Sequence, residues 1–303
     1  MQGMITDIHR TSLVDGPGLR TTVFIKGCPL RCLWCHNPET QVPRIQPAFD
    51  AEKANDADRA FLGLTAEEWN SEKRTSLALD KIRELGIELC VRESTSGAIS
   101  TYGKVVSVEE VMTEVLKDRP YFNRSGGGIT LSGGEPMHQS DFALSLLKES
   151  KLAGLHTVLD TTGYMPPDQA EATLPVTDLY LFDYKATSDS QHIQLTGVGL
   201  ERILSNLDLL ASKGAKIWLR CPMIPRLNDT PEHLNTIVSL MDKYNAIQKI
   251  DILTWHTMGS AKAARLGKSL PDPLPDSNTS EADKARYRNF FELNAPQHQV
   301  EVL

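Results

Sequence analysis

The stretch that decides the fold is Gly27-Cys-Pro-Leu-Arg-Cys-Leu-Trp-Cys-His-Asn37, which contains a C-x3-C-x2-C array formed by Cys28, Cys32 and Cys35. The array follows the apolar run at residues 21–26, so we expect it on a loop that leaves a β-strand. Three thiolates this close together can hold three corners of an iron–sulfur cube, whereas a [4Fe–4S] cluster normally takes four. No fourth cysteine follows at ligand spacing. The array therefore predicts a cluster with one iron left open for a small molecule.

Zinc and free structural thiols are the two alternatives for these cysteines. A structural zinc site closes its tetrahedron with a fourth Cys or His, usually from a second paired knuckle, and the sequence has no second knuckle. His36 is adjacent to Cys35 and is too close to join the same tetrahedron easily. Free thiols would require three cysteines to fall within one short loop by chance in a chain with only five.

The composition is that of an ordinary globular protein: 303 residues, 40% apolar and 23% charged. No apolar run reaches membrane-spanning length, and the N-terminus lacks the cationic and apolar regions of a signal peptide. A net charge of −7 argues against a nucleic-acid surface. Only Cys90 and Cys221 lie outside the array, so no disulfide framework is predicted. We expect a cytoplasmic monomer that binds neither nucleic acid nor a membrane.

Strands and helices alternate along most of the chain, which predicts a parallel sheet with helices outside it. Roughly six β–α units are visible, fewer than the eight of a complete barrel. The predicted fold class is α/β, an open partial (β/α)6 barrel with a helical insert after the cysteine loop. We assign the barrel to residues 1–42 and 105–303 and the insert to residues 43–104.

Polar residues lie at or just beyond the C-terminal ends of the predicted strands. They are Cys28, Glu135, Asp160, Asp183, Lys185, Arg220 and His256. A single charge of this kind is more often a surface ion pair, but barrel enzymes keep their chemistry at this edge of the sheet. An α-amino acid that chelates an open iron needs acceptors for its amine, which Ser132-Gly-Gly-Glu-Pro136 offers, and cations for its carboxylate, such as Lys185 and Arg220.

The ordered motifs resemble a known family. The cysteine array followed by Gly-Gly-Glu-Pro136 resembles the radical S-adenosylmethionine enzymes. The fuller set is similar to the glycyl radical enzyme activating enzymes, the pyruvate formate-lyase activase group, over residues 3–40 and 98–303. The matching stretches are Asp15-Gly-Pro-Gly-Leu-Arg20, Cys-His-Asn-Pro38, Ser125-Gly-Gly-Gly128, Leu-Ser-Gly-Gly-Glu-Pro136, Leu159-Asp-Thr-Thr-Gly163 and Asp183-Tyr-Lys185.

The resemblance implies that one reduced [4Fe–4S] cluster passes an electron to S-adenosylmethionine, giving methionine and a 5′-deoxyadenosyl radical. That radical takes a hydrogen from a backbone glycine of a partner, a glycyl radical enzyme. The cofactor carries the hard step, so the protein positions it and excludes side reactions, and no side chain is needed as an acid or base.

The resemblance also implies residue roles. Cys28, Cys32 and Cys35 would ligate the cluster. The residues that would contact S-adenosylmethionine are Trp34, His36, Gly133, Gly134, Glu135, Asp183, Tyr184, Lys185, Arg220 and His256, with Gly134 and Glu135 at its amino group. A monovalent cation, Na⁺ or K⁺, would lie at Asp160, Thr161 and Asp183, although Asp160 capping a turn is the alternative. Asp15 would face the incoming glycine loop.

The insert departs from the family pattern. Many such activases carry two further cysteine-rich clusters there, whereas this insert has only Cys90, and Ser94 stands where the next cysteine is expected. One thiol cannot hold a four-iron cluster. We therefore predict one cluster per chain, reduced directly by a flavodoxin or ferredoxin, with the insert as an alternative docking surface. The rival functions are a radical enzyme for a small molecule or nucleic acid, and a non-catalytic electron-transfer or zinc protein.

Overall fold

The structure is a computed structural model that describes residues 1–269 and 271–303. Its strands are β1 (Gln2–Ser12), β2 (Arg20–Ile25), β3 (Gln46–Phe49), β4 (Ile99–Tyr102), β5 (Lys104–Ser107), β6 (Gly128–Gly133), β7 (His156–Thr161), β8 (Leu179–Asp183), β9 (Ile217–Met223), β10 (Ile247–Thr254) and β11 (Val300–Val302). Its helices are α1 (Asp56–Phe61), α2 (Ala66–Trp69), α3 (Arg74–Leu85), α4 (Ile87–Glu93), α5 (Val108–Leu116), α6 (Arg119–Ser125), α7 (Ser140–Leu152), α8 (Pro167–Thr173), α9 (Asp189–Thr196), α10 (Glu201–Ser212), α11 (Pro231–Lys243), α12 (Gly259–Arg265) and α13 (Glu281–Asn294).

The main sheet has nine strands in the order β11-β10-β9-β8-β7-β6-β2-β1-β5. From β2 through β11 each neighbouring pair is parallel. The edges of the sheet are β5 and β11, so it is an open partial barrel, as the sequence predicts. The sequence did not predict that β1 and β5 extend the sheet as antiparallel strands beyond β2.

Local sequence signals fix the ends of several helices. Thr65 and Ser107 each form a capping box with a glutamate three residues later, and these boxes fix the starts of α2 and α5. Gly86 ends α3 with a φ of 101°, which suits glycine. Helix α5 ends at Leu116, and Pro120 lies in the first turn of α6, a position that suits proline.

Residues 43–104 have an apolar core of their own. It consists of residues between Phe49 and Ile99, including Cys90, which is fully buried. The segment is mainly helical, and the antiparallel pair β3–β4 joins its ends to the barrel. Buried Asp58 accepts hydrogen bonds from Ser94 Oγ (3.0 Å) and Ser96 Oγ (2.6 Å), so the residue at the expected cysteine position is part of a polar network.

None of the helices in the described part of the chain is both long enough and apolar enough to cross a membrane.

Candidate active site

The cysteine array lies on a loop that is pinned at both of its ends. The N–H groups of Gly27 and Cys28 donate to the carbonyls of Thr40 (2.6 Å) and Gln41 (3.1 Å). Farther along, the N–H of Arg31 donates to the Thr196 carbonyl at 2.7 Å, which ties the loop to the end of α9. All three cysteines line one cavity of ≈ 430 Å³ at the C-terminal edge of the sheet. The structure therefore brings the three thiols to the edge where the sequence predicts chemistry.

The surroundings of the thiols favour their neutral form. Burial raises the pKa of Cys28, and it raises the pKa of Cys32 to about 12 although the positive charge of Lys185 opposes the shift. Iron binds the deprotonated thiolate, so cluster loading must release the thiol protons of the three cysteines. The positive charge of the iron would then stabilise the buried thiolates.

Among the described residues, no three His, Cys, Asp or Glu side chains meet closely enough to hold a single metal ion. Each thiolate of a four-iron cube takes a different iron, so the three sulfur atoms of this loop need not converge on one point. The donor set, three thiols at one cavity, fits such a cluster.

Most of the predicted site residues line the same cavity. They are Asp15, Trp34, His36, Gly133, Gly134, Asp160, Asp183, Lys185, Arg220 and His256. The cavity is also lined by residues that sequence reasoning did not select, among them Val14, Ser132 and Thr162. All three are sequence neighbours of predicted site residues, and Ser132 and Thr162 also lie within the motifs Ser132-Gly-Gly-Glu-Pro136 and Leu159-Asp-Thr-Thr-Gly163.

Two ion pairs occupy the polar side of the cavity. Lys185 Nζ donates to Asp183 Oδ2 at 2.6 Å, and Arg220 lies 3.3 Å from Asp160 Oδ2. Burial raises the pKa of Asp160 to about 6, with the neighbouring Asp183 adding to the rise and Arg220 opposing it. Ser132 Oγ also donates to Asp160, at 2.6 Å. Each carboxylate therefore already has a cationic partner.

Three buried nitrogen atoms of the cavity residues lack a hydrogen-bond partner within the described structure. They are Arg220 Nε, His36 Nε2 and His256 Nδ1. The two histidine rings stack at 3.9 Å between centroids, and burial lowers the pKa of His36 to about 4, so it is neutral at pH 7. Unpartnered buried polar atoms are costly and uncommon. Their position at one cavity indicates a site built for a polar ligand.

The apolar side of the cavity is a shelf formed around Trp34. This ring is buried against Trp255, Leu195 and Ile224, and the Trp255 indole is fixed by a 3.0 Å hydrogen bond from Nε1 to the Pro275 carbonyl. A rigid aromatic surface beside polar groups suits a ligand with both a flat apolar part and a charged part.

Gly133 and Gly134 let the end of β6 lie directly against β2 and the cysteine loop. Gly133 has a φ of 117°, and a Cβ there would lie 2.3 Å from the Ile25 carbonyl oxygen. A Cβ on Gly134 would lie 2.3 Å from the Gly27 carbonyl oxygen. Glycine is needed at both positions for this close approach of two backbones.

Glu135 is buried and is not among the residues that line the cavity. It accepts hydrogen bonds from the N–H of Met137 (3.1 Å), the N–H of Thr162 (2.8 Å) and the hydroxyls of Thr161 and Thr162. Burial raises the pKa of Glu135, and these hydrogen bonds oppose the rise. Its visible role is to fix the turn after β7, which differs from the predicted contact with a ligand's amino group.

Tyr184 and the Thr161 side chain are also not brought to the cavity. Tyr184 is buried and stacks on His233 at 5.3 Å between ring centroids, while its neighbours Asp183 and Lys185 face the site. The Thr161 hydroxyl donates to Glu135 rather than facing Asp160. A cation between the two aspartates would have to use other oxygens of this turn.

The turn at residues 15–18 begins at the rim of the cavity, which Val14 and Asp15 line. Asp15 Oδ2 accepts from Ser12 Oγ and Thr22 Oγ1, each at 2.7 Å. Buried Arg20 holds the other end of the turn, because its side chain donates to the Pro17 carbonyl (3.0 Å) and to Thr130 Oγ1 (2.7 Å). The rim is therefore a fixed part of the fold.

Comparison with known proteins identifies relatives over nearly the whole chain. The model of the radical SAM superfamily matches residues 22–237. The benzylsuccinate synthase activating enzyme of Thauera aromatica is 36% identical over 88% of this chain and 82% of that enzyme. The isethionate sulfite-lyase activating enzyme of Oleidesulfovibrio alaskensis is 36% identical over 89% and 88%. The trans-4-hydroxy-L-proline dehydratase activating enzyme of Clostridioides difficile is 34% identical over 88% and 89%.

The fold has counterparts among solved structures. A radical SAM methyltransferase from Sphaerobacter thermophilus matches 99% of this chain and 73% of that chain with a TM-score of 0.53 at 14% sequence identity. At that identity the likeness concerns the fold alone.

Proposed function

The chain belongs to the radical SAM superfamily and, within it, to the glycyl radical enzyme activating enzymes, and from this premise we propose that the cavity at the cysteine loop is its active site. The family's reaction needs a [4Fe–4S] cluster and S-adenosylmethionine. When both are bound, an electron from the reduced cluster cleaves S-adenosylmethionine to methionine and a 5′-deoxyadenosyl radical, which abstracts hydrogen from a backbone glycine of the partner enzyme. The observation that carries the proposal is the meeting of three thiols, two ion pairs and three unpartnered nitrogens at one cavity.

Cys28, Cys32 and Cys35 would hold the cluster, and they leave one of its irons for the amine and carboxylate of S-adenosylmethionine. Backbone hydrogen bonds at Gly27, Cys28 and Arg31 fix the loop that would carry the cluster. The cluster-loading step must remove protons from thiols whose pKa values burial has raised.

The remaining cavity residues would orient S-adenosylmethionine. Lys185 and Arg220 offer positive charge to its carboxylate, and Arg220 Nε has an unused donor. Asp183 can accept from its amine. The Trp34 shelf and the stacked His36 and His256 would contact the nucleoside part, whose ring nitrogens suit the unpartnered histidine nitrogens.

Gly133, Gly134, Glu135 and Tyr184 would support this site indirectly. The two glycines allow β6 to approach the cysteine loop, and the Glu135 carboxylate fixes the turn beside Asp160. Tyr184 lies behind the site between its two cavity-lining neighbours.

A monovalent cation at Asp160, Asp183 and a backbone oxygen near Thr161 is a finer part of the proposal. What supports it is the proximity of two carboxylates, since the charge of Asp183 adds to the rise in the pKa of Asp160. Addition of K⁺ or Na⁺ at constant ionic strength should then tighten S-adenosylmethionine binding, and Asp160→Asn should remove that effect. Equal affinity in both salts and in a large organic cation would contradict it.

The substrate would be a glycyl radical enzyme, whose glycine loop enters at the rim formed by residues 15–18. Residues 43–104 would form a separate unit without a cluster, because their single cysteine is buried in an apolar core. A flavodoxin or ferredoxin would then reduce the one cluster directly. A monomeric state and the reducing cytoplasm remain predictions from the sequence.

Anaerobic reconstitution tests the proposal. We expect about four irons per chain, 5′-deoxyadenosine on addition of S-adenosylmethionine and reductant, and a glycyl radical signal by paramagnetic resonance when a candidate partner is supplied. Cys32→Ser should lose the cluster, whereas Cys90→Ser, a matched change in the insert core, should keep it. Equal iron loss in both variants, or about twelve irons in the wild type, would contradict the single-site assignment.

A further inference from the structure

Three basic side chains on or near the cysteine loop are exposed. This basic patch consists of Arg31, Arg44 and Lys268. Within the described part of the chain, none of the three has a carboxylate within the 4.0 Å of an ion pair. Arg31 donates to the carbonyls of Cys28 (2.6 Å) and Leu30 (2.7 Å), and Lys268 donates to the side-chain amide of Gln41 (3.0 Å). None of the three positive charges is therefore neutralised by a direct ion pair.

The basic patch lies close to the thiols but outside the cavity. Arg31 is part of the array itself, and neither Arg31 nor Lys268 lines the cavity. Gln41, which holds Lys268, also accepts through its carbonyl the hydrogen bond from the Cys28 N–H at 3.1 Å. Arg44 follows Gln41 by three residues. The patch thus lies at the surface beside the cysteine loop, and its residues are not among those that line the substrate cavity.

Helix α12 fixes this surface. Lys262 on the helix donates to Asn37 Oδ1 (2.8 Å) and pairs with buried Glu39 (2.9 Å), and Arg265 pairs with Asp50 in the insert (2.9 Å). These two cations are balanced by carboxylates, so they hold the helix against the loop without adding net charge. The basic patch, by contrast, has no carboxylates paired with it. It is therefore a positive surface on a chain whose net charge is −7.

We infer that the basic patch is the docking surface of the electron donor, an acidic one-electron carrier protein. This inference rests on the proposed function, which requires one electron per turnover at the cysteine loop. The donor is oxidised by one electron and the cluster is reduced by one, with no bond made or broken. Since electron transfer slows steeply with distance, the donor must dock beside the loop, and the insert offers no second cluster as a relay.

Charge complementarity identifies the occupant. A positive surface on an acidic protein attracts an acidic partner and raises its association rate, an effect that salt screens. Electron-transfer encounters also use small interfaces, so a patch of a few side chains is sufficient.

The test compares Lys268→Glu and Arg44→Glu with Lys148→Glu, a charge reversal at an exposed position on α7. Flavodoxin is the probe. Its affinity is measured by calorimetry and the rate of cluster reduction by stopped-flow absorbance, in low salt and near 1 M salt, where the Debye length falls to about 3 Å. We expect each patch variant to weaken both quantities roughly fivefold or more in low salt, with little difference in high salt. Lys268→Arg and Lys148→Glu should resemble the wild type.

A neutral photoreduced deazaflavin separates this inference from the proposed function. With it, all variants should form 5′-deoxyadenosine at the wild-type rate, because no docking is needed. If the wild type itself forms none with deazaflavin, the proposed function fails. If deazaflavin works but Lys268→Glu binds and accepts electrons from flavodoxin as the wild type does, or if Lys148→Glu is equally impaired, the docking surface is wrong. Loss of glycyl radical enzyme binding in Lys268→Glu with unchanged flavodoxin binding would overturn it as well.

Discussion

Replacing Glu135 with glutamine should destabilise the protein even before any cofactor binds. Two backbone N–H groups, which cannot turn round, point at different oxygens of this carboxylate: Met137 at Oε1 (3.1 Å) and Thr162 at Oε2 (2.8 Å). The Thr162 hydroxyl also donates to Oε2, at 2.6 Å. The site therefore requires an acceptor at both oxygen positions.

A glutamine supplies only one acceptor oxygen, so in either orientation one N–H would face the amide's NH₂ group. An unsatisfied buried donor costs about 1–3 kcal/mol, and the hydrogen bonds that remain lose the charge that makes them roughly twice as strong as neutral ones. We expect Glu135→Gln to lower the free energy of unfolding by about 2–4 kcal/mol. Glu149→Gln, at an exposed position of α7, should change it by no more than about 0.5 kcal/mol.

The measurement is urea denaturation of the cluster-free protein, followed by circular dichroism at pH 7. Absence of the cluster and of S-adenosylmethionine is essential, because it removes any contribution from ligand contacts. If Glu135→Gln and Glu149→Gln unfold at the same urea concentration, the carboxylate does not hold the turn as an anion. Its importance would then lie in contact with the ligand's amino group, and the variant should show its loss only in S-adenosylmethionine affinity.

Two further changes test the framework of the site by the same unfolding assay. Arg20→Met removes the buried donors to the Pro17 carbonyl and to Thr130, so it should lower the free energy of unfolding by about 2–4 kcal/mol. Arg20→Lys keeps a donor and should recover part of that loss. If the wild type and both variants are equally stable, Arg20 does not hold the turn. Burial lowers the pKa of His233 to about 4, so between pH 6.5 and 4 the unfolded chain binds the proton more readily and stability falls as pH falls. His233 should contribute up to about 1.4 kcal/mol per pH unit to that slope, so His233→Gln should flatten it and His9→Gln, at an exposed position, should not.

The edge of the sheet that carries the site could be predicted because the parallel strands are buried apolar runs. In β8, residues 179–182 are buried, and the first polar residue, Asp183, necessarily appears where the strand leaves the core. Parallel strands bring all such ends to the same edge, so Asp160, Asp183 and Arg220 meet although they are far apart in sequence. The cysteine loop follows the same rule at the end of β2.

The orientation of individual side chains was harder to predict. Tyr184 lies between two cavity-lining residues, and the two-residue period of extended chain places its ring on the opposite side. That signal was present in the sequence. The position of the Glu135 carboxylate was not predictable in this way, because it is set by donors on Thr161 and Thr162, at the end of a different strand. The antiparallel pairing of β1 with β5 likewise depends on contacts between distant segments.

The two ion pairs explain how a site with so many buried charges is stable without a ligand. Breaking a buried pair by removing one partner is strongly destabilising, and here Arg220 with Asp160 and Lys185 with Asp183 balance each other. S-adenosylmethionine presents an ammonium and a carboxylate at the same end. A ligand with both charges can exchange partners with the pairs and leave none of them uncompensated. A simple anion would pair with Lys185 and Arg220 but would leave Asp160 and Asp183 without cationic partners. Two unpaired carboxylates are unfavourable there, because the site is buried and the charge of Asp183 acts on Asp160. The arrangement would therefore select for the zwitterionic amino-acid end of the cofactor.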